Sequence, residues 1–159
     1  MNIASERWSE VYRRAFPRVY RALVATLFDR EAALDALHDA FVDGLRRPPA
    51  DDRNLEGWLY RVALRRARRS QIRASSHQVP LDLTSPDPND GIEHSLARLE
   101  VGRLLALLSE RQRTIVLAHF YLGLRHDEVA AMLGIRTGTV GATISQALER
   151  MRKGAPDAV

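Results

Sequence analysis

Apolar residues recur along this chain at steps of three and four, and nowhere do they alternate at the period of two that a strand requires. Phe16, Val19, Tyr20, Leu23, Val24 and Leu27 line one side of a first helix, with Pro17 fitting its opening turn, where a missing N–H is harmless. Leu34, Leu37, Phe41 and Leu45 mark a second helix, which Pro48-Pro49 ends. A third is predicted from Asn54, a good cap, to about Ala74. Farther on, Leu96, Leu99, Leu104, Leu107 and Leu108 form another stripe. Ile115, Val116 and Phe120 belong to one helix predicted from Glu110 to Leu122 and stopped by Gly123. A short helix from Asp127 to Leu133, a turn at Gly134 and a longer helix opening at Arg136 or Thr137 complete the pattern. In that last helix Val140, Ile144, Leu148 and Met151 are expected to face inward. The fold class is all-α.

One stretch breaks the pattern. Residues 75–80 and 84–91 carry three prolines, one glycine and many short polar side chains, which compete with a regular backbone. This composition predicts a flexible linker over 76–93, between a helical domain at 1–75 and a second at 94–155. The net charge of +4 says little until it is divided the same way. Residues 1–79 hold 15 arginines against 10 acids; residues 80–99 hold one arginine against four acids; residues 100–159 hold eight cations against six acids. A basic half and a mildly basic half therefore flank an acidic middle.

Composition excludes several functions. The absence of cysteine removes disulfides, a thiolate zinc site and a cysteine nucleophile, and it fits a reducing compartment. No apolar run reaches the ~18 residues that span a bilayer, and the N-terminus lacks a signal-peptide pattern. His38, His77, His94, His119 and His126 form no ligand motif, and no glycine-rich phosphate loop is present. Neither catalysis, a metal nor a cofactor is expected.

Two charge patterns call for a partner. Between Glu56 and Asp82 there is no acid, yet Arg61, Arg65, Arg66, Arg68, Arg69 and Arg73 fall there and cover one half of the third helix. Like charges at i,i+4 repel with no carboxylate to offset them, so a polyanion is favoured over a plain solvated face. Trp58 on the same side, and Tyr60 beside it in sequence, suggest rings on which single-stranded bases stack while phosphates meet guanidinium groups. On the helix before, Glu31, Asp35, Asp39 and Asp43 recur every four residues beside His38, either as solubilising charge or as a dock for a basic surface.

The region from Ser109 to Arg152 carries the most specific signal. A short helix, a glycine suited to positive φ and a second helix at this spacing read as a DNA-binding helix-turn-helix. Gly138 and Gly141, three apart, invite close backbone approach to DNA. Thr143 and Gln146 are expected to read bases, while Arg136, Arg150, Arg152 and Lys153 are expected to sit on phosphates. Thr137, Gly138, Thr139, Gly141 and Thr143 are weak helix formers, so this helix depends on packing through Val140 and Ile144.

The runs Leu108-Ser109-Glu110-Arg111-Gln112-Arg113, Phe120-Tyr121-Leu122-Gly123-Leu124, Glu128-Val129-Ala130-Ala131-Met132-Leu133-Gly134-Ile135 and Gly138-Thr139-Val140 resemble region 4 of bacterial sigma factors. Asp35, Asp39, Ala40 and Phe41, with Trp58-Leu59-Tyr60-Arg61-Val62-Ala63, resemble region 2. Two regions joined directly by a linker are similar to the extracytoplasmic-function (ECF) group. The resemblance implies that Glu31, Asp35, His38, Asp39, Phe41 and Asp43 dock on the β′ clamp of core RNA polymerase, with the β flap a further contact. It implies that Trp58, Tyr60 and the six arginines engage the −10 element of promoter DNA as single strand. It implies that Arg136 to Thr139, Gly141, Thr143, Gln146, Arg150, Arg152 and Lys153 engage the −35 element. An anti-sigma partner is implied as well, with a cytoplasmic location, on the nucleoid in holoenzyme or held near the membrane by that partner. The chain differs from the family pattern at Ala32 and Leu34, where acids are usual, at Arg65, where asparagine is usual, and at Gly141, Thr143 and Gln146, where basic residues are common. The alternatives are a sigma-like mimic that titrates an anti-sigma factor without initiating transcription, and a free-standing helix-turn-helix regulator.

Overall fold

The computed structural model describes residues 3–50, 54–73 and 92–155. In chain order they form α1 (Ile3–Leu27), α2 (Arg30–Arg46), α3 (Leu55–Arg73), α4 (Ile92–Ala106), α5 (Glu110–Val116), a π-helical turn at Leu117–Tyr121, α6 (His126–Leu133) and α7 (Thr137–Gly154). No strand occurs among the described residues, and no helix there is long and apolar enough to cross a membrane. Of the linker expected at 76–93, residues 76–91 lie outside the described residues; Ile92 and Glu93 open α4.

Helix α1 is longer than the apolar stripe from Phe16 predicts. It begins at Ile3, so Pro17 stands in mid-helix rather than in the first turn. The ring removes the donor due to the Arg13 carbonyl. Both residues are exposed, where water can replace that bond. The added turns carry Trp8, Val11, Tyr12 and Ala15, which continue the same stripe toward the N-terminus. Trp8 is buried, stacks on Phe41 at 6.3 Å, meets Trp58 edge-on at 5.7 Å and donates its indole N–H to the Phe41 carbonyl. Tyr12 also lies on Phe41, at 4.3 Å.

Local chemistry sets the helix ends. Asp29 accepts from the Ala32 N–H and caps α2. Asn54 caps α3 by accepting from Gly57 at 3.3 Å. Ser109 and Gln112 form a reciprocal capping box at the start of α5. Gly123 and Gly134 take positive φ, as their places after helices predict. Phe28, with φ 54, is the non-glycine exception among the described residues and turns the chain between α1 and α2.

The α5 region departs from a continuous α-helix. From Leu117 the backbone widens to i→i+5 bonding, with the Leu122 N–H on the Leu117 carbonyl. This turn leaves Phe120 58% exposed while Ile115, Ala118 and Leu122 stay in the core. Helices α1 to α3 form one layer, and α5 to α7 pack against it, so that Leu23, Leu37, Leu59, Ile115, Val129 and Val140 share one apolar cluster. A second cluster joins Leu105, Leu108, Val116, Leu117 and Ala147 beneath Phe28 and Met151.

Candidate nucleic-acid interface

Helix α6 is the support and α7 the presenting element. Gly134, at φ 66 and ψ 37, sends its N–H to the Ala130 carbonyl, and Ile135 bonds the same carbonyl at 3.0 Å. This left-handed turn lets two helices meet within three residues. Val140, Thr143, Ile144 and Ala147 then face the core. At 100° per residue the opposite side of α7 presents Gly138, Thr139, Ala142, Ser145 and Gln146, all exposed. The first turn of α7 has neither a side-chain cap nor an acid; the Thr139 N–H bonds the Arg136 carbonyl at 3.0 Å, and the amides before it are the ones that suit an anion.

Charge around this face is partly committed. Glu149 holds Arg152 at 2.6 Å and Lys153 at 3.7 Å, and the Arg152 bond keeps its carboxyl below the usual range. Arg150 donates to Gln112 at 3.2 Å. Arg136 is exposed beside the α7 N-terminus.

On α3 the arginines divide into two kinds. Arg66 grips Asp43 of α2 through two bonds, Nε to Oδ2 at 2.8 Å and Nη2 to Oδ1. That bond raises the Arg66 pKa. Arg68 approaches Glu110 at 3.7 Å. Arg61, Arg65 and Arg69 are exposed and carry no ion pair among the described residues. The side chain of Arg73 lies outside the described residues.

A family profile described as Sigma-70, region 4 matches residues 98–151, which contain the whole of α5, α6 and the Gly134 turn, and most of α7. The chain is 33% identical over 101 residues to the ECF RNA polymerase sigma factor RpoE of Cereibacter sphaeroides, covering 60% of this chain and 55% of that protein. It is 28% identical over 159 residues to the ECF RNA polymerase sigma factor SigM of Mycobacterium tuberculosis, covering 96% of this chain and 80% of that one. Over these stretches the chain is similar to ECF sigma factors and to region 4 of the sigma-70 family. In fold it is similar to the sigma factor RpoE of Bartonella quintana, solved in complex with the anti-sigma factor NepR, at a TM-score of 0.72 and 16% identity over 93% of this chain and 96% of that one.

Several site residues expected from the sequence are found elsewhere. Tyr60 is fully buried, not beside a nucleic-acid track. The Thr26 hydroxyl donates to Ala22, so the Tyr60 hydroxyl donates to Thr26, at 2.7 Å; burial raises the Tyr60 pKa far above its ordinary value. Trp58 is half-buried against Trp8. It points along the arginine side by helical phase, but the N-terminal turns of α1 cover that end of α3. Phe41 is likewise a core contact of Trp8 and Tyr12 rather than an exposed docking group, and Asp43 is occupied by Arg66. Glu31, Asp35, His38 and Asp39 remain exposed along α2.

On α7, Thr143 is buried and its hydroxyl donates to the Thr139 carbonyl, which removes it from base reading. Gly141 faces the His126 ring of α6 instead of open space, whereas Gly138 has nothing near it. Leu148, expected inside, is 44% exposed, and Ala147 takes the core position. Ser145 was missed. Its position seven residues after Gly138, nearly two full turns, is the signal that finds it.

Proposed function

We propose that this chain is an alternative sigma factor that binds core RNA polymerase and directs promoter-specific initiation. The observation that carries this reading is the exposed α7 face, Gly138, Thr139, Ala142, Ser145 and Gln146, presented by the Gly134 turn within the region 4 match. A helix set out this way enters a major groove with its N-terminal residues toward base edges. In this proposal α7 reads the −35 element, with Gln146 and Thr139 on bases and Arg136 on phosphate. Region 2 corresponds to 1–75, and its Arg61, Arg65 and Arg69 follow the −10 strand. Glu31, Asp35, His38 and Asp39 dock on the polymerase clamp. The likeness to a sigma factor held by NepR supports an anti-sigma partner here too, and the cytoplasm is where such a chain works. No observation favours a titrating mimic.

Run-off transcription with purified core polymerase and candidate promoters tests the proposal. Promoter-specific transcripts are expected; their absence across a broad promoter set, with core binding intact, would sink it. Gln146→Ala is expected to change which −35 sequences are used. An equal loss on all sequences would remove Gln146 from the reading set.

A further inference from the structure

The exposed face of α7 is chemically narrow. From Thr137 to Glu149 the helix carries neither arginine nor lysine. Guanine is read most often by a cationic side chain that donates to both O6 and N7. No such donor lies on this face. Arg136 stands before the first turn, as the N-cap residue. Arg150, four residues after Gln146, is turned to Gln112 of α5 at 3.2 Å. Cytosine is read by a carboxylate that accepts from N4. Glu149 is the acid of α7, and it holds Arg152 at 2.6 Å and Lys153 at 3.7 Å. The charged means of selecting a G·C pair are thus either missing from the face or already engaged.

What remains suits A·T pairs. Gln146 is exposed, and its planar carboxamide donates from one atom and accepts at another. Adenine presents the matching pair in the major groove, an acceptor at N7 and a donor at N6. Thr139 and Ala142 are exposed and carry methyl groups, which pack on the C5-methyl of thymine. The Ser145 hydroxyl can donate or accept and discriminates little between bases. Apart from Gln146 these side chains are short, so the helix backbone must come close for them to touch a base. Gly138, which has open space where a Cβ would stand, adds no side chain to hold it off. Thr139 and Gln146 are about 10 Å apart along the axis, at ~1.5 Å per residue. That is the length of about three base pairs, at ~3.4 Å each. We propose that α7 selects duplex DNA by a block of about three A·T pairs, with an adenine under Gln146 and thymine methyls against Ala142 and Thr139, and that no guanine or cytosine is read within the block. This deepens the −35 assignment and rests on it for the role of α7, but it does not depend on whether the chain initiates transcription.

The test selects from duplexes randomised over one helical turn, with the full chain alone and with the full chain bound to core RNA polymerase, and reads the retained sequences. An A·T block with one fixed adenine is expected, and replacing that adenine should weaken binding roughly 5- to 150-fold. Two variants move the preference rather than remove it, so a folding defect cannot imitate them. Gln146→Glu, whose carboxylate only accepts, should exchange the fixed adenine for cytosine. Ser145→Arg, which sets a two-armed donor on an exposed position, should add a fixed guanine beside it. A fixed G·C pair inside the block of the unaltered chain overturns the proposal. An adenine that stays fixed in Gln146→Glu does the same, as does a failure to retain any sequence over another in both states. Run-off transcription from promoters carrying the selected block separates this proposal from the sigma-factor reading. The expected block without transcripts supports the base selection and counts against initiation. Transcripts that require a guanine within the block keep initiation and overturn the base selection.

Discussion

Gly44 is packed where a side chain cannot fit. A Cβ there would stand 1.8 Å from the Trp8 ring, and the indole is held by Phe41 and Trp58. Gly44→Ala gains up to about 1 kcal/mol of helix propensity but forces the indole aside, a cost of about 1–3 kcal/mol. A net loss is expected in urea unfolding, together with a shift in tryptophan fluorescence. Tyr12 presents the opposite case. Its hydroxyl is buried without a partner, and burial pushes its phenol from 10.0 up to about 12. Tyr12→Phe should therefore raise stability at neutral pH, by about 1 kcal/mol. The folded phenol keeps its proton above pH 10 while the unfolded one loses it, so stability falls as pH rises from 10 through 12. Tyr60 adds to that loss, and Tyr12→Phe should make alkaline unfolding less steep. Equal alkaline midpoints in the two proteins would contradict this account. Tyr60 also shows what one-dimensional proximity conceals. It neighbours Trp58 in sequence but sits on the other side of α3, with Leu59 and Ala63, and the same periodicity that located the arginines already put it inside.

At the scale of elements, α3 carries both structural and solvent-facing arginines, and they should separate by experiment. Replacing Arg61, Arg65 and Arg69 with alanine should weaken binding to single-stranded DNA and make its log–log salt slope shallower by about 2, at ~0.7 per phosphate. Arg66→Ala should leave that slope in place and lower the melting temperature, because it leaves Asp43 without its two-bond partner. If Arg66→Ala flattened the slope as well, the ion pair would not survive in solution. The arginine run was legible from composition, but the division within it depends on Asp43 of another helix. In α7 the helix and its inward Val140 and Ile144 were legible from period. The reading face was only partly so: Thr143 falls at the edge of the buried arc, and the hydroxyl bond to Thr139 takes it out of solvent. The widened turn at Leu117–Tyr121 has no clear mark in the apolar spacing, which an α-helix also fits.

For the whole molecule, the shared core predicts that the two helical groups melt together. Both tryptophans, Trp8 and Trp58, lie in the N-terminal group, so their fluorescence reports that group while circular dichroism reports both. Ile115, fully buried in α5, belongs to the common cluster. Ile115→Ala should cost about 2–5 kcal/mol and lower the fluorescence-detected melt as well as the dichroism-detected one. A tryptophan transition left in place while helicity melts earlier would mean the groups unfold independently. This coupling is invisible in the sequence, where a run rich in proline and short polar residues separates the two groups and suggests independence.

The sequence alone determined the helices and most of their ends, because apolar period, caps and positive-φ glycines act within a few residues of one another. It also determined the helix-turn-helix, whose short helix, Gly134 and second helix are a local pattern. Tertiary structure decided which charged and aromatic residues are available to a partner. Trp58 is covered by a tryptophan fifty positions earlier, Asp43 is taken by Arg66, and Arg113 is drawn across to Thr26 of α1. Availability is set by whatever packs opposite a side chain, and nothing in a residue's own neighbourhood along the chain records that.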